Sequence, residues 1–172
     1  MRKLCFPMLL VLMLFSCSDG DLQIETIDFN DQVVQFCDDP VANTSNILFK
    51  INDSEALILN LQSGVLNNGV IGETITTEST VPGQSQLTYR NFSGTVSSTY
   101  FCSDIPPATP TVSQEVEAED GTVTIETVAN ADETGFDHVI LLSGVSFVTE
   151  NGERITNLTI DEFGTVSTEI TN

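Results

Sequence analysis

Cations, histidine and large aromatic rings are all scarce in this chain. Of 172 residues only five are Lys or Arg, against 25 Asp and Glu, and the chain has one histidine, two tyrosines and no tryptophan. Phosphate backbones are held by clustered Lys and Arg, so nucleic acid is excluded as a partner. Adsorption to anionic lipid headgroups is disfavoured for the same reason. His138 is the one candidate base for a Ser-His-acid set. It stands in Gly135-Phe136-Asp137-His138-Val139-Ile140-Leu141-Leu142, at the start of an apolar strand, and no serine lies in a Gly-x-Ser-x-Gly elbow. It is expected to be a strand-end histidine with an ordinary hydrogen bond. Zinc sites draw on several His and Cys, and neither is available in number. Sugar-binding faces use aromatic platforms, for which Tyr89 and Tyr100 are the only tyrosines, while the ten Phe are expected in the core. A helical period of apolar residues is nearly absent as well.

The amino terminus carries a different kind of information. Arg2 and Lys3 precede an apolar run from Leu4 to Phe15, which ends in Leu14-Phe15-Ser16-Cys17. Twelve helical residues rise about 18 Å, short of the roughly 30 Å hydrocarbon core, and Pro7 interrupts the run, so the pattern is that of an export leader rather than a membrane span. The tetrad resembles the lipobox of bacterial lipoproteins. That resemblance implies a diacylglycerol on the Cys17 thiol, cleavage before Cys17 and acylation of the freed amine. Two or more acyl chains, at about 0.8 kcal/mol per buried CH₂, anchor stably where one does not. Residues 1–16 are then the signal peptide and 17–30 a lipidated, acidic tether. Within it Ser18-Asp19-Gly20-Asp21 is similar to the acidic export tags of surface-exposed lipoproteins of Gram-negative bacteria, which implies an outer-membrane, surface-facing location. Without the leader, Lys50, Arg90 and Arg154 stand alone against 25 acids, a net charge of −22. Such a surface repels its own copies and suits divalent cations or a basic partner.

In that setting the cysteines sort themselves. Cys5 leaves with the leader and Cys17 is lipidated, so Cys37 and Cys102 remain as an even pair in an exported protein and are expected to form a disulfide. Closing a loop of about 66 residues stabilises by roughly 4 kcal/mol in the chain-entropy model. A metal or redox role would need nearby histidines or a C-x-x-C spacing.

Short β-branched runs separated by Gly, Asn, Asp and Pro recur throughout, an all-β pattern. Asp120-Gly121 is a favoured two-residue turn, and a hairpin there sets Ala118 opposite Val123 and Val116 opposite Ile125, with Glu115, Glu117, Glu119, Thr122, Thr124 and Glu126 on the other face. A second hairpin at Asn151-Gly152 sets Val148 opposite Ile155. Three fragments of the first half reappear in order in the second: 32–35 with 114–117, 61–65 with 141–145, and 92–97 with 163–167. The expectation is an antiparallel β-sandwich of two similar units with about six strands each. The first covers 31–105, with strands near 31–37, 46–51, 55–62, 70–77, 86–92 and 95–102. A Pro-rich linker spans 106–110. The second covers 111–172, with strands near 112–119, 121–129, 137–143, 145–150, 153–160 and 163–170. Whether the units are separate or halves of one sandwich stays open at this point.

The remaining chemistry lies in carboxylates. Asp38 with Asp39, and Glu115, Glu117, Glu119 and Asp120, offer hard oxygens to calcium, although no EF-hand loop is present. Alternate strand positions lie about 7 Å apart, so the glutamates need help from elsewhere to hold one ion. A paired-carboxylate hydrolase would need two acids roughly 5 to 9.5 Å apart in a cleft. No other cofactor is expected. Tyr100-Phe101-Cys102-Ser103-Asp104-Ile105-Pro106-Pro107 resembles segments of small Gram-negative surface lipoproteins, a group that brings no activity with it. The expected role is a non-catalytic structural, adhesive or binding module of the cell envelope, with calcium or glycan binding as the alternative.

Overall fold

A computed structural model describes residues 27–149, 152, 154, 155 and 161–170. The expected leader, Cys17, the expected tether up to residue 26, Asn151 and most of the strand expected at 153–160 lie outside these residues. The elements are β1 (Asn46–Asn52), β2 (Glu55–Leu61), β3 (Ile75–Thr80), β4 (Ser85–Phe92), α1 (Ser98–Cys102), β5 (Val112–Ala129), β6 (Gly135–Val148), β7 (Arg154–Ile155) and β8 (Glu162–Glu169). All strand pairs are antiparallel and join in one curled eight-stranded sheet. Among the described residues no helix is long and apolar enough to cross a membrane.

Period-two alternation explains the first strands. In β2, Leu57, Leu59 and Leu61 are fully buried on the inner face, with Leu48 of β1 and Leu87 and Tyr89 of β4 beside them. Each such side chain contributes about 1.5–3 kcal/mol by leaving water. The core continues through Val116, Ala118, Val123 and Ile125 of β5, Ile140, Leu142 and Phe147 of β6, and Phe163 and Val166 of β8. Strands from both sides of the 106–110 linker thus share one sheet, since β5 pairs with β4 along one half and with β3 along the other.

The hairpin expected at Asp120-Gly121 does not form. Residues 112–129 make one strand, bulged around Ala118, Asp120 and Thr122. The inward positions are even before the bulge (Val116, Ala118) and odd after it (Val123, Ile125, Thr127). One extra residue in a strand shifts the phase just as a two-residue hairpin loop does, so the apolar pattern fits both. Partners decide between them: the bend gives each half of β5 its own neighbour on one edge, β4 or β3, and leaves β6 on the other. Gly121 sits at φ 144°, and a Cβ there would meet Val145 Cγ2 at 2.9 Å. The backbones of β5 and β6 therefore come together where both bend.

β6 is likewise one strand where two were expected at 137–143 and 145–150, with Gly144 at φ 63°. Its far end pairs Phe147 with Ile155 and Val148 with Arg154, one residue off the expected register. The fully buried Phe147 takes the core position, leaving Val148 half-buried. Other expected strands move or vanish. Residues 31–37 form no strand and, among the described residues, pair with the sheet only through the Gln35–Phe49 bridge, and β3 begins at Ile75 rather than 70. Residues 98–102 are helical, because Tyr100 and Phe101, neighbours in sequence, both pack on the sheet, and a strand would point them to opposite faces. The fragments matched between halves sit in unlike settings: Ser63-Gly64 turns after β2, whereas Ser143-Gly144 lies within β6.

The segment 27–41 fills the gap between edge strands β1 and β8. It runs antiparallel to β1, with Asn52 Nδ2 donating to the Asp28 carbonyl, Lys50 Nζ to that of Phe29, Gln35 and Phe49 exchanging backbone bonds of 2.8 and 2.9 Å, and the Val41 N–H donating to Asn46 Oδ1. On its other side Val34 lies against Gly164 of β8.

Candidate functional site

The outer face of β1, β2 and β4 carries more apolar side chains than a solvated face tolerates: Phe49 and Ile51, Ala56 and Ile58, and Phe92. Helix α1 covers it. Phe101 stacks on Phe49 with ring centroids 4.5 Å apart, and Tyr100 meets Phe92 edge-on at 4.9 Å. A five-residue helix does not hold itself together, and Ser97 makes no side-chain cap. The disulfide from Cys102 to Cys37, with Cα atoms 5.1 Å apart, ties it to the 27–41 segment. The pairing expected from cysteine counting is thus formed in the structure, although it joins a helix to a loop rather than two strand ends.

Two depressions flank this staple. One, of about 620 Å³, is lined by Cys37, Asp38, Asp39, Ile47, Arg90 and Phe101. Ile47 is 59% exposed at its side, and the guanidinium of Arg90 is committed across the sheet to Glu115, its direct partner in the pairing of β4 with β5, with Nε donating to Oε2 at 2.6 Å. The second, of about 700 Å³, lies between Phe36, Asp39, Pro40 and Val41 on one side and residues 165–169 of β8 on the other, with the β5–β6 turn at its end.

The acidic residues singled out in the sequence do not converge. Asp38 and Asp39 are exposed beside the disulfide. Glu115, Glu117 and Glu119 share the outer face of β5, where they line a shallow depression with Pro82, Val148 and Thr149. Asp120 sits at the bend, its Oδ1 accepting the Gly121 N–H at 2.9 Å. Among the described residues no group of three or more His, Cys, Asp or Glu is placed to hold a metal ion. Of the tyrosines, Tyr89 is buried with its hydroxyl donating to Glu55 Oε1, and Tyr100, in α1, is half-buried.

The burial of two titratable side chains was not anticipated. His138, expected at a strand end, is fully buried inside β6, with Nδ1 bonded to Thr127 Oγ1 at 2.8 Å and Nε2 to Thr168 Oγ1 at 2.9 Å. Burial pushes its pKa below the usual histidine value, partly opposed by the Asp137 carboxylate. A neutral imidazole, donating through one nitrogen and accepting through the other, satisfies both hydroxyls and links β5, β6 and β8. Lys50 is buried too, donating to the Phe29 carbonyl at 3.0 Å and lying 5.8 Å from the Phe163 ring centre. Burial lowers its pKa, and the Glu162 carboxylate works against that shift. The signal for Lys50 was present in the alternation Asn46, Leu48, Lys50, which puts all three on the inner face. Comparison of the chain with known families, curated proteins and solved structures returns no match, so its function is read from these residues alone.

Proposed function

We propose that this chain is a lipid-anchored protein of the bacterial outer membrane, facing the cell surface and acting as a non-catalytic adhesive or binding module. The observation that carries the reading is the charged Arg2-Lys3 start, the apolar run to Phe15 and the Leu14-Phe15-Ser16-Cys17 tetrad. A disulfide between the two cysteines that remain suits an oxidising compartment. Nine residues separate Cys17 from Ile27, so the fold lies within about 35 Å of the lipidated cysteine even with that stretch fully extended. The same reading takes the curled sheet as a two-layered sandwich, supported by one core cluster that draws on β1, β2 and β4 as well as β6 and β8.

Growth of an expressing Gram-negative host with radiolabelled palmitate tests the anchor. The intact chain is expected to take up label and sediment with membranes. Cys17→Ser should be unlabelled and either released from membranes or left uncleaved. Unchanged mass and membrane retention in the variant would defeat the proposal.

A further inference from the structure

β8 pairs with β6 along one edge and has no strand on the other among the described residues. The 27–41 segment covers this edge at Gly164 through Val34; beyond that point, beside residues 165–169, lies the 700 Å³ groove, whose far wall is Phe36, Pro40 and Val41. Phe36 and Val41 remain 37% and 44% exposed there. An open edge offers unpaired backbone donors and acceptors, which proteins normally blunt with a lysine, a proline or a covering element. Residues 165–169, Thr-Val-Ser-Thr-Glu, contain neither lysine nor proline. The charge around the groove has one sign: among the described residues Asp39 and Glu169 line it and no Lys or Arg does, and the whole chain carries −20.

We propose that this groove takes an extended, cationic segment of a partner protein, added as a strand to the free edge of β8, with alternate side chains against Phe36 and Val41 and its basic groups at Asp39 and Glu169. Five β8 residues offer about 17 Å of edge, enough for a five- or six-residue strand. Backbone pairing supplies most of the affinity in such an addition, and the acidic rim selects the charge of the incoming segment and speeds its approach. The inference rests on the binding-module reading above. Peptide binding and lipidation of Cys17 are nevertheless scored separately, since neither outcome fixes the other.

The test uses the full chain in nonionic detergent and three blocked octapeptides: alternating Lys-Val, alternating Glu-Val, and the Lys-Val peptide N-methylated at every second residue. Saturable binding of the Lys-Val peptide is expected, at least tenfold tighter than either control, weakened by salt, and accompanied by slowed amide hydrogen exchange at residues 165–169. The double variant Asp39→Lys, Glu169→Lys should lose at least tenfold in affinity with an unchanged melting temperature. Equal binding of the N-methylated peptide would reduce the effect to charge attraction and overturn strand addition. Full affinity in the double variant would place binding elsewhere. Failure of the Lys-Val peptide to bind would also refute the proposal, as would its displacement by self-association of the chain, which would assign the groove to a second copy.

Discussion

Acidification should weaken the fold through His138. In the unfolded chain this imidazole titrates near pH 6.5. In the folded chain it is buried between Thr127 and Thr168 and its pKa is lowered, so it stays neutral as the pH falls. Below pH 6.5 the unfolded state binds a proton that the folded state does not. Stability attributable to this group is therefore complete above the unfolded pKa and declines as the pH drops towards the folded one. Between pH 7.5 and 5.5 the loss reaches up to about 1.4 kcal/mol, or roughly 3–5 °C in melting temperature for a chain of this size. Charge repulsion elsewhere on this acidic chain also depends on pH, so the quantity to measure is a difference. Urea unfolding of the intact chain and of His138→Gln at both pH values isolates it. The variant is less stable at pH 7.5 but should lack the histidine component of the pH slope. Because the chain has one histidine, its ring protons also report the folded pKa directly by NMR. Identical slopes in the two proteins, or an imidazole titrating at 6.5 or above in the folded state, would refute the argument.

Two further predictions concern the staple and the bend. Cys102→Ser should cost about 4 kcal/mol, because the bond closes a loop with a sequence separation of 65, and the urea midpoint of the reduced wild-type chain should fall to match it. Gly121→Val should destabilise by about 2 kcal/mol or more, since it forces a branched side chain to φ 144° against Val145, whereas the exposed neighbour Asp120→Ala should cost under about 1 kcal/mol; equal effects in thermal melts would remove the close approach of β5 and β6 from the explanation.

The sequence makes the class of fold legible because strand alternation is local. Leu57, Leu59 and Leu61 declare their inner face without help from the rest of the chain, and the β1–β2 turn falls where Asp53-Ser54 interrupts the apolar pattern. What alternation cannot carry is the identity of the partner. At Asp120-Gly121 the apolar phase shifts by one, and a bulged strand and a hairpin write the same letters; the difference lies in β3 and β4, which end 40 and 28 residues before Asp120. The Val148 register fails for a related reason, because Gly144 shifts the phase within β6 and hands the core position to Phe147. α1 was obscured because Tyr100 and Phe101 have strand-like propensities, and the tertiary contact with Phe49 and Phe92 overrides them. The disulfide was readable from cysteine arithmetic. The groove between it and β8 was not, since it is made by residues 36–41 meeting β8, a contact between chain segments about 130 residues apart.

The segment that plugs the gap between β1 and β8 is also the first described stretch of the chain, and this has a mechanical consequence. Among the described residues, a pull on the chain ahead of Ile27 loads residues 27–36 first, in a line that includes hydrogen bonds to β1 at Phe29 and Gln35. Those bonds can give way one after another. At Cys37 the load passes through a covalent bond to Cys102 and so bypasses every residue between them. The slack released before that stop is about ten residues, or roughly 35 Å. Tension from the amino-terminal side can therefore peel the plug but cannot unravel the hairpin of β1 and β2, which lies wholly inside the closed loop.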